Sequence, residues 1–166
     1  MINQYPKTTK TVATASIVAA LAAFAMTEEG TRYIPYYDPA SILTVCQGHT
    51  GADIVKNKKY TSVECAKFLN EDAKEALEIV ANCVPHELPD NVFIAFGDAV
   101  FNIGPKVACD PQQSYAARYL QAGDYKRACN ELPKWNKARV AGVLVPLPGL
   151  TKRRLREQKF CLTDLG

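Results

Sequence analysis

A run of uncharged residues near the N-terminus constrains this chain more than any other feature of its sequence. Residues 11–27, TVATASIVAALAAFAMT, contain no charged side chain and lie between Lys10 and Glu28. Seven of these 17 residues are alanine, so the run lies at the lower limit for a segment that can span a bilayer. Its apolar surface must be buried, either weakly in a membrane or against the rest of the chain.

The charges on both sides of this run indicate export. Lys7 and Lys10 precede it and Glu28 follows it, which places the N-terminus in the cytoplasm and the remainder outside. We interpret residues 1–27 as a membrane-anchoring segment and residues 28–166 as one globular domain. Two alternatives stay open. The run is also consistent with a signal peptide cleaved near Ala23-Phe24-Ala25, or with the first helix of an ordinary domain.

Cysteine usage agrees with export. The chain has an even number of cysteines and no pair with CxxC spacing, which disfavours a zinc site and favours up to three disulfides formed in an oxidising compartment. The cysteines are Cys46, Cys65, Cys83, Cys109, Cys129 and Cys161. The alternative is a set of buried free thiols that pack as small hydrophobic residues. A net charge of +3 permits an anionic partner and selects none.

The residues after the run predict an α+β domain. Residues 28–51 contain IPYY and ILTV beside DPAS and GHTG, which predicts short antiparallel strands joined by turns. A capping box at 61–64 begins an amphipathic helix over 62–82, and Pro89-Asp90 opens a more apolar helix that ends at Gly104. Further helices are predicted over 111–121, 124–132 and 151–161, with VLVPLPG as a loop before the last. A cleft between the sheet and the helices would be the natural substrate site.

Two carboxylates near the sheet have the residue types that glycoside hydrolysis requires. Glu29 is predicted at a helix end that faces aromatic residues, where desolvation would raise its pKa, and Asp38 is predicted in a turn open to water. One carboxyl group must donate a proton to the leaving oxygen while the other stays charged. The pair alone is weak support, because two acids nine residues apart are common.

The wider pattern is more specific. Glu29, Asp38 and Thr44 form E-x8-D-x5-T, and GHTG, FNIG at 101–104, Trp135 and G-L-x-x-R-R-x-x-E-x-x-x-C at 149–161 follow. This set resembles the phage-type lysozymes, the family of the T-even phage lysozyme, and with the N-terminal run it looks most like the signal-anchor-release endolysins. The resemblance implies a lysozyme-like α+β fold with a small sheet lobe, a helical lobe and an N-terminal anchor helix. It also implies a muramidase that cleaves the β-1,4 bond between N-acetylmuramic acid and N-acetylglucosamine.

Residue roles follow from the same resemblance. It implies that Glu29 is the general acid, that Asp38 and Thr44 position the attacking water, and that Arg153 or Arg154 lies near Glu29. Cys46, Cys65, Cys129 and Cys161 are the cysteines shared with the subgroup, which implies the pairs 46–65 and 129–161, with 83–109 as the third. Two positions depart from the family pattern, because Ser41 and Cys46 stand where many members have glycine. His49 is expected to be a hydrogen-bonding, site-supporting residue behind the sheet, and His86 a surface residue.

The resemblance also implies partners and location. We expect no cofactor or metal, no nucleic acid partner, and a monomer that acts on peptidoglycan. The enzyme would be held inactive on the periplasmic side of the host inner membrane and released into the periplasm for host lysis. Two other functions stay open: a peptidase or amidase with Cys46 as nucleophile and His49 as base, and a wall-binding protein without turnover.

Overall fold

The structure is a computed structural model that describes residues 11–27 and 30–166. It confirms the α+β class. The helices are α1 (Ala15–Met26), α2 (Ser62–Cys83), α3 (Asp90–Ile103), α4 (Lys106–Cys109), α5 (Tyr115–Gln121), α6 (Tyr125–Glu131) and α7 (Pro148–Cys161), with a 3-10 turn at Leu132–Lys134 after α6. The strands are β1 (Arg32–Tyr37), β2 (Leu43–Cys46), β3 (His49–Thr50), β4 (Lys137–Val140) and β5 (Val143–Pro146).

The first three strands form a small antiparallel sheet in the order β1-β2-β3. Its register pairs Tyr36 with Thr44 and Thr44 with Thr50, so Thr44 lies on the central strand. The register shifts between Arg32 and Tyr36, where Pro35 cannot donate a ladder hydrogen bond, and β1 is an edge strand that tolerates this loss. The predicted GHTG turn is shorter than expected, because its His49 and Thr50 already form β3.

Helix α2 begins where the sequence predicts. Thr61 accepts a hydrogen bond from the Glu64 backbone amide at 3.2 Å, and the Glu64 carboxylate accepts one from the Thr61 amide at 2.8 Å. This reciprocal capping satisfies two backbone donors that the first turn would otherwise leave unpaired. The hydrogen bonds from Lys58 and Thr61 lower the pKa of Glu64 to about 2.

Helix α3 is the centre of the main core, as its continuous apolar pattern predicts. All residues from Val92 to Val100 are buried. A Cβ atom on Gly97 would lie 2.7 Å from Leu77 Cδ2 and 3.1 Å from Leu21 Cδ2. The glycine therefore lets α1 and α2 pack closely against α3.

The apolar N-terminal run forms α1 and packs into this core. Leu21 and Ala25 are fully buried. The Phe24 ring lies 5.2 Å from that of Phe160, and its carbonyl oxygen accepts a hydrogen bond from Arg156 at 2.9 Å, so α1 is tied to α7. Within residues 11–27 and 30–166, no helix has both the length and the hydropathy needed to cross a membrane.

All three implied disulfides are present: Cys46–Cys65, Cys83–Cys109 and Cys129–Cys161. They tie β2 to α2, α2 to α4, and α6 to α7. The alternative of buried free thiols is therefore wrong. In the chain-entropy model, loops of 19 to 32 residues correspond to about 3 to 4 kcal/mol of stabilisation each.

Several predicted boundaries in the last third of the chain are wrong. The segment predicted as a loop, VLVPLPG, instead contributes β5 to a hairpin with β4. Ala141 and Gly142 at its tip have φ values of 50° and 82°, which suits the tight turn of a two-residue hairpin. The helix predicted to begin at 111 begins at Tyr115, and the last helix begins at Pro148, where a proline at the first helical position costs no hydrogen bond.

Candidate active site

The turn that follows β1 holds Asp38 in a fixed position. Asp38 Oδ1 accepts hydrogen bonds from the backbone amides of Ala40 at 2.8 Å and Ile42 at 2.9 Å. Ser41 adopts a φ of 62°, so the turn keeps the left-handed conformation that glycine would favour, at a modest cost in strain. The carboxylate of this half-buried residue is thus oriented by its own turn.

Thr44 is buried on the central strand beside this turn. Its side-chain hydroxyl donates a hydrogen bond to the Ile42 carbonyl at 3.0 Å. Because the hydroxyl proton is used in this bond, the oxygen lone pairs can accept a hydrogen bond from another molecule. Asp38 and Thr44 are therefore both linked to the backbone of Ile42.

Asp38 and Thr44 line one cavity between the small sheet and α3. Its volume is about 170 Å³, and its other lining residues are Tyr36, Gln47, Gly48, Thr50, Phe101 and Asn102. A neighbouring cavity of about 340 Å³ shares Gly48, Thr50 and Phe101 with it and continues along α2 past Asp72 and Glu75. Together they form the predicted cleft between the sheet and the helices. The third candidate catalytic residue, Glu29, lies outside the described residues.

The two candidate arginines on α7 are both buried, but they have different partners. Arg153 donates two hydrogen bonds to Asp98, from Nε to Oδ2 at 2.9 Å and from Nη2 to Oδ1 at 2.8 Å. Arg154 Nη2 pairs instead with Glu157. The Arg153 guanidinium carbon also lies 5.9 Å from the centre of the Phe101 ring, which lines the cleft. Of the two arginines, Arg153 is thus the one that the structure places beside a cleft residue.

Sequence reasoning missed the acidic partners of these arginines. Asp98 is fully buried, and the pKa of its carboxyl lies below the ordinary value because the hydrogen bonds from Arg153 outweigh the effect of burial. Burial and the hydrogen bond with Asp98 raise the pKa of Glu157 well above its ordinary value, against the effect of Arg154. The sequence contains a signal that could have identified Asp98, because it is the single charged residue between Asn91 and Ile103 in an otherwise largely apolar helix.

His49 is a hydrogen-bonding residue behind the sheet, as expected. Its Nδ1 lies 2.8 Å from Asp72 Oδ2, its Nε2 lies 3.1 Å from Asp53 Oδ1, and its ring stacks on Phe68 with the ring centres 3.9 Å apart. Both ring nitrogens thus have carboxylate partners. His86, expected at the surface, is half-buried and lies between Tyr125 and the Gln121 carbonyl.

This arrangement also excludes the thiol chemistry considered for Cys46. The Cys46 sulfur forms the disulfide with Cys65, so it cannot act as a nucleophile in this structure. Both nitrogens of His49 are occupied by Asp72 and Asp53. The peptidase or amidase interpretation is therefore wrong. No cluster of three or more potential metal ligands occurs within residues 11–27 and 30–166.

The environment of His49 predicts a pH-dependent stability. Burial disfavours the charged imidazole, but the hydrogen bonds to Asp72 and Asp53 outweigh it and raise the pKa of His49. The stabilisation is therefore full below the unfolded pKa of about 6.5 and is lost as the pH rises through the higher folded pKa. We expect His49→Gln to lower the thermal unfolding temperature by a few degrees at about pH 5.5, and by less at about pH 8.

Differential scanning fluorimetry across this pH range checks the prediction, and His86→Gln is the control because it removes the chain's other histidine. The control should follow the wild-type pH dependence. A His49→Gln penalty that stays constant from low to high pH would contradict the assigned protonation of His49.

Known proteins resemble this chain in sequence. The sequence model for the phage lysozyme family matches residues 26–157. The chain is similar to the SAR-endolysin of Bacteriophage PS119, at 37% identity over 81% of this chain and 76% of that protein, and to the SAR-endolysin of Enterobacteria phage P21, at 35% identity over 81% and 77%.

Solved structures extend the likeness to the whole fold. The muramidase domain of SpmX from Asticaccaulis excentricus has a TM-score of 0.76 and 25% identity, and the likeness covers 93% of this chain and 100% of that one. The active form of the P1 phage endolysin Lyz has a TM-score of 0.75 and 24% identity over 95% and 98% of the two chains. The fold described above is therefore lysozyme-like.

Proposed function

This chain belongs to the phage lysozyme family and is a muramidase of the endolysin type, and from that premise we propose that Glu29, Asp38 and Thr44 are its catalytic residues. The bond cleaved is the β-1,4 bond between N-acetylmuramic acid and N-acetylglucosamine in peptidoglycan. The observation that carries the proposal is that Asp38 and Thr44 line one cavity of the cleft. Their spacing from Glu29 also matches the family pattern.

In this proposal each of the three side chains has a separate role in the reaction of an inverting glycosidase. Glu29 donates its proton to the oxygen of the leaving sugar. The Asp38 carboxylate, oriented by its turn, accepts a hydrogen bond from the attacking water. Thr44 accepts a second hydrogen bond from the same water, because its own proton is donated to the Ile42 carbonyl. Water positioned in this way attacks the anomeric carbon from the face opposite the leaving oxygen.

Substitutions at Asp38 separate the role of its charge from its role in the turn. Asp38→Asn keeps an Oδ1 that can accept both backbone hydrogen bonds but removes the carboxylate. We expect its rate of glycan cleavage to fall about 100-fold or more while the unfolding temperature changes little. Asp38→Ala should lose a similar rate and also some stability, because two backbone donors lose their acceptor.

The measurement uses purified peptidoglycan sacculi. Product analysis should find new N-acetylmuramic acid reducing ends, formed by the wild type and nearly absent with either variant. If Asp38→Asn cleaves at the wild-type rate, Asp38 does not position the water. Released free amino groups in place of reducing sugars would contradict the muramidase proposal as a whole.

We also propose that the residues of α1 serve as a releasable membrane anchor, with residues 1–27 as the anchor segment and 28–166 as the catalytic domain. The names of the relatives, SAR-endolysins, support this interpretation. So does the position of the run, which ends at Thr27, directly before Glu28 and two positions before Glu29. An anchored α1 would be absent from the core that Leu21 and Ala25 fill, so activity would follow release into the periplasm.

A further inference from the structure

We propose that Asp98 is a positioning residue for the reaction, which holds the guanidinium of Arg153 against Phe101 in the wall of the cleft. This inference rests on the proposed catalytic function of the cleft. It adds a residue on α3 that neither the sequence motifs nor the family comparison assigns to the site.

The hydrogen bonds between Asp98 and Arg153 fix the orientation of the guanidinium. Asp98 binds Arg153 through both carboxylate oxygens, at 2.9 and 2.8 Å, and it occupies the Nε and Nη2 edge of the guanidinium. Two parallel hydrogen bonds fix the plane of an arginine as well as its position. The Nη1 nitrogen consequently points away from Asp98. A single hydrogen bond would leave the guanidinium free to rotate.

The position of Asp98 on its helix links the pair to the cleft. Phe101 and Asn102 lie three and four residues further along α3, on the same side of the helix, and both line the cavity that contains Asp38 and Thr44. Arg153 lies over the Phe101 ring at 5.9 Å. Asp98 thus fixes the position of the Arg153 guanidinium relative to the wall of the cleft. Both members of the pair are at least 96% buried, with exposures of 0% and 4%.

The charges around Asp98 come from one neighbouring helix. Arg153, Arg154 and Glu157 of α7 are the charged groups that act on it. The faces of α1 and α2 that pack beside it at Gly97 present the apolar side chains of Leu21 and Leu77. Glu157 lies farther from the guanidinium, at 3.8 Å from Arg153 Nε. Of these two carboxyl groups, Asp98 is the one that accepts short hydrogen bonds from Arg153.

This arrangement has a consequence for the wall of the cleft. The charge of Asp98 offsets that of the buried Arg153, while the two hydrogen bonds hold the guanidinium beside the Phe101 ring. Phe101 lines the cavity that contains Asp38 and Thr44. Loss of the Asp98 carboxylate would remove two contacts that hold Arg153 and would loosen this part of the cleft.

The test compares Asp98→Asn with Glu157→Gln in the purified full chain, by measuring kcat and KM for reducing-end release. Each change replaces one buried carboxyl of the same cluster by an amide of equal shape. We expect Asp98→Asn to lower kcat by about 10- to 100-fold with little change in KM. Glu157→Gln leaves both acceptors of the Arg153 hydrogen bonds in place, so its kcat should stay much closer to that of the wild type. A normal kcat for folded Asp98→Asn would overturn the proposal.

Two further measurements keep the proposal testable if Asp98→Asn does not fold. Asp98→Glu retains the charge but moves it by one methylene, so its kcat should also fall; a normal kcat would overturn the proposal. The NMR signal of the Arg153 Nε–H group should exchange slowly with water in the wild type and in Glu157→Gln. Rapid exchange in the wild type would show that Asp98 does not hold Arg153. A wild type that forms no muramic acid ends would instead refute the proposed function itself.

Discussion

Glu29→Gln is expected to reduce the release of N-acetylmuramic acid reducing ends by about 1,000-fold or more. The amide has nearly the shape of the carboxyl group but cannot donate a proton to the leaving sugar oxygen. Departure of an unprotonated alkoxide is slow, so loss of the general acid should affect kcat far more than KM. The measurement is reducing-end formation from sacculi, with product identity checked by mass spectrometry.

The matched control for this variant is Glu78→Gln, which makes the same chemical change on the exposed face of α2, where Glu78 pairs only loosely with Lys74 at 3.7 Å. A surface pair of this kind contributes little to stability. The control should therefore keep wild-type activity. Substantial cleavage by folded Glu29→Gln would show that another group donates the proton, and would remove Glu29 from the mechanism.

Leucine at Ala19, Ala20 and Ala23 is expected to keep the enzyme in the membrane. All three alanines are exposed on α1 in the folded domain, so larger side chains there should not disturb the core. Each leucine adds three carbon groups worth about 0.8 kcal/mol apiece when buried in hydrocarbon. We expect the released fraction to fall at least about tenfold, and lysis of the host to be delayed. Fractionation of membranes and periplasm during lysis measures this.

The control uses serine at the same three positions, which weakens the anchor and should advance release. Ala22 and Ala25 are unsuitable for this test, since both are buried and leucine there would overpack the core. After extraction with detergent, the leucine variant should cleave sacculi at nearly the wild-type rate. That result would show that the substitutions keep the enzyme in the membrane and do not damage its active site. Lysis on the wild-type schedule, with the leucine variant found in the periplasm, would contradict the anchor proposal.

The elements that sequence reasoning predicted well are those whose signals are local. Helix α2 has an apolar stripe with helical spacing and a capping box, and both are properties of neighbouring residues. Helix α3 has a continuous apolar run bounded by Pro89 and Gly104. The β4–β5 hairpin was missed because its strands have no buried face: Val140, Val143 and Leu144 are each at least half exposed, so no alternation marked them.

By itself, the sequence determined the α+β class, the positions of the long helices, and the residue types and spacing of the candidate catalytic set, because backbone propensity and motif spacing are local. Tertiary structure alone decided which of two adjacent arginines lies beside Phe101, a residue of the cleft. Residues 153 and 154 differ by about 100° around α7, and only the packing of α7 on α3 selects one of them. It also decided that Asp98 binds Arg153, because a contact between residues 55 positions apart leaves no mark in either neighbourhood.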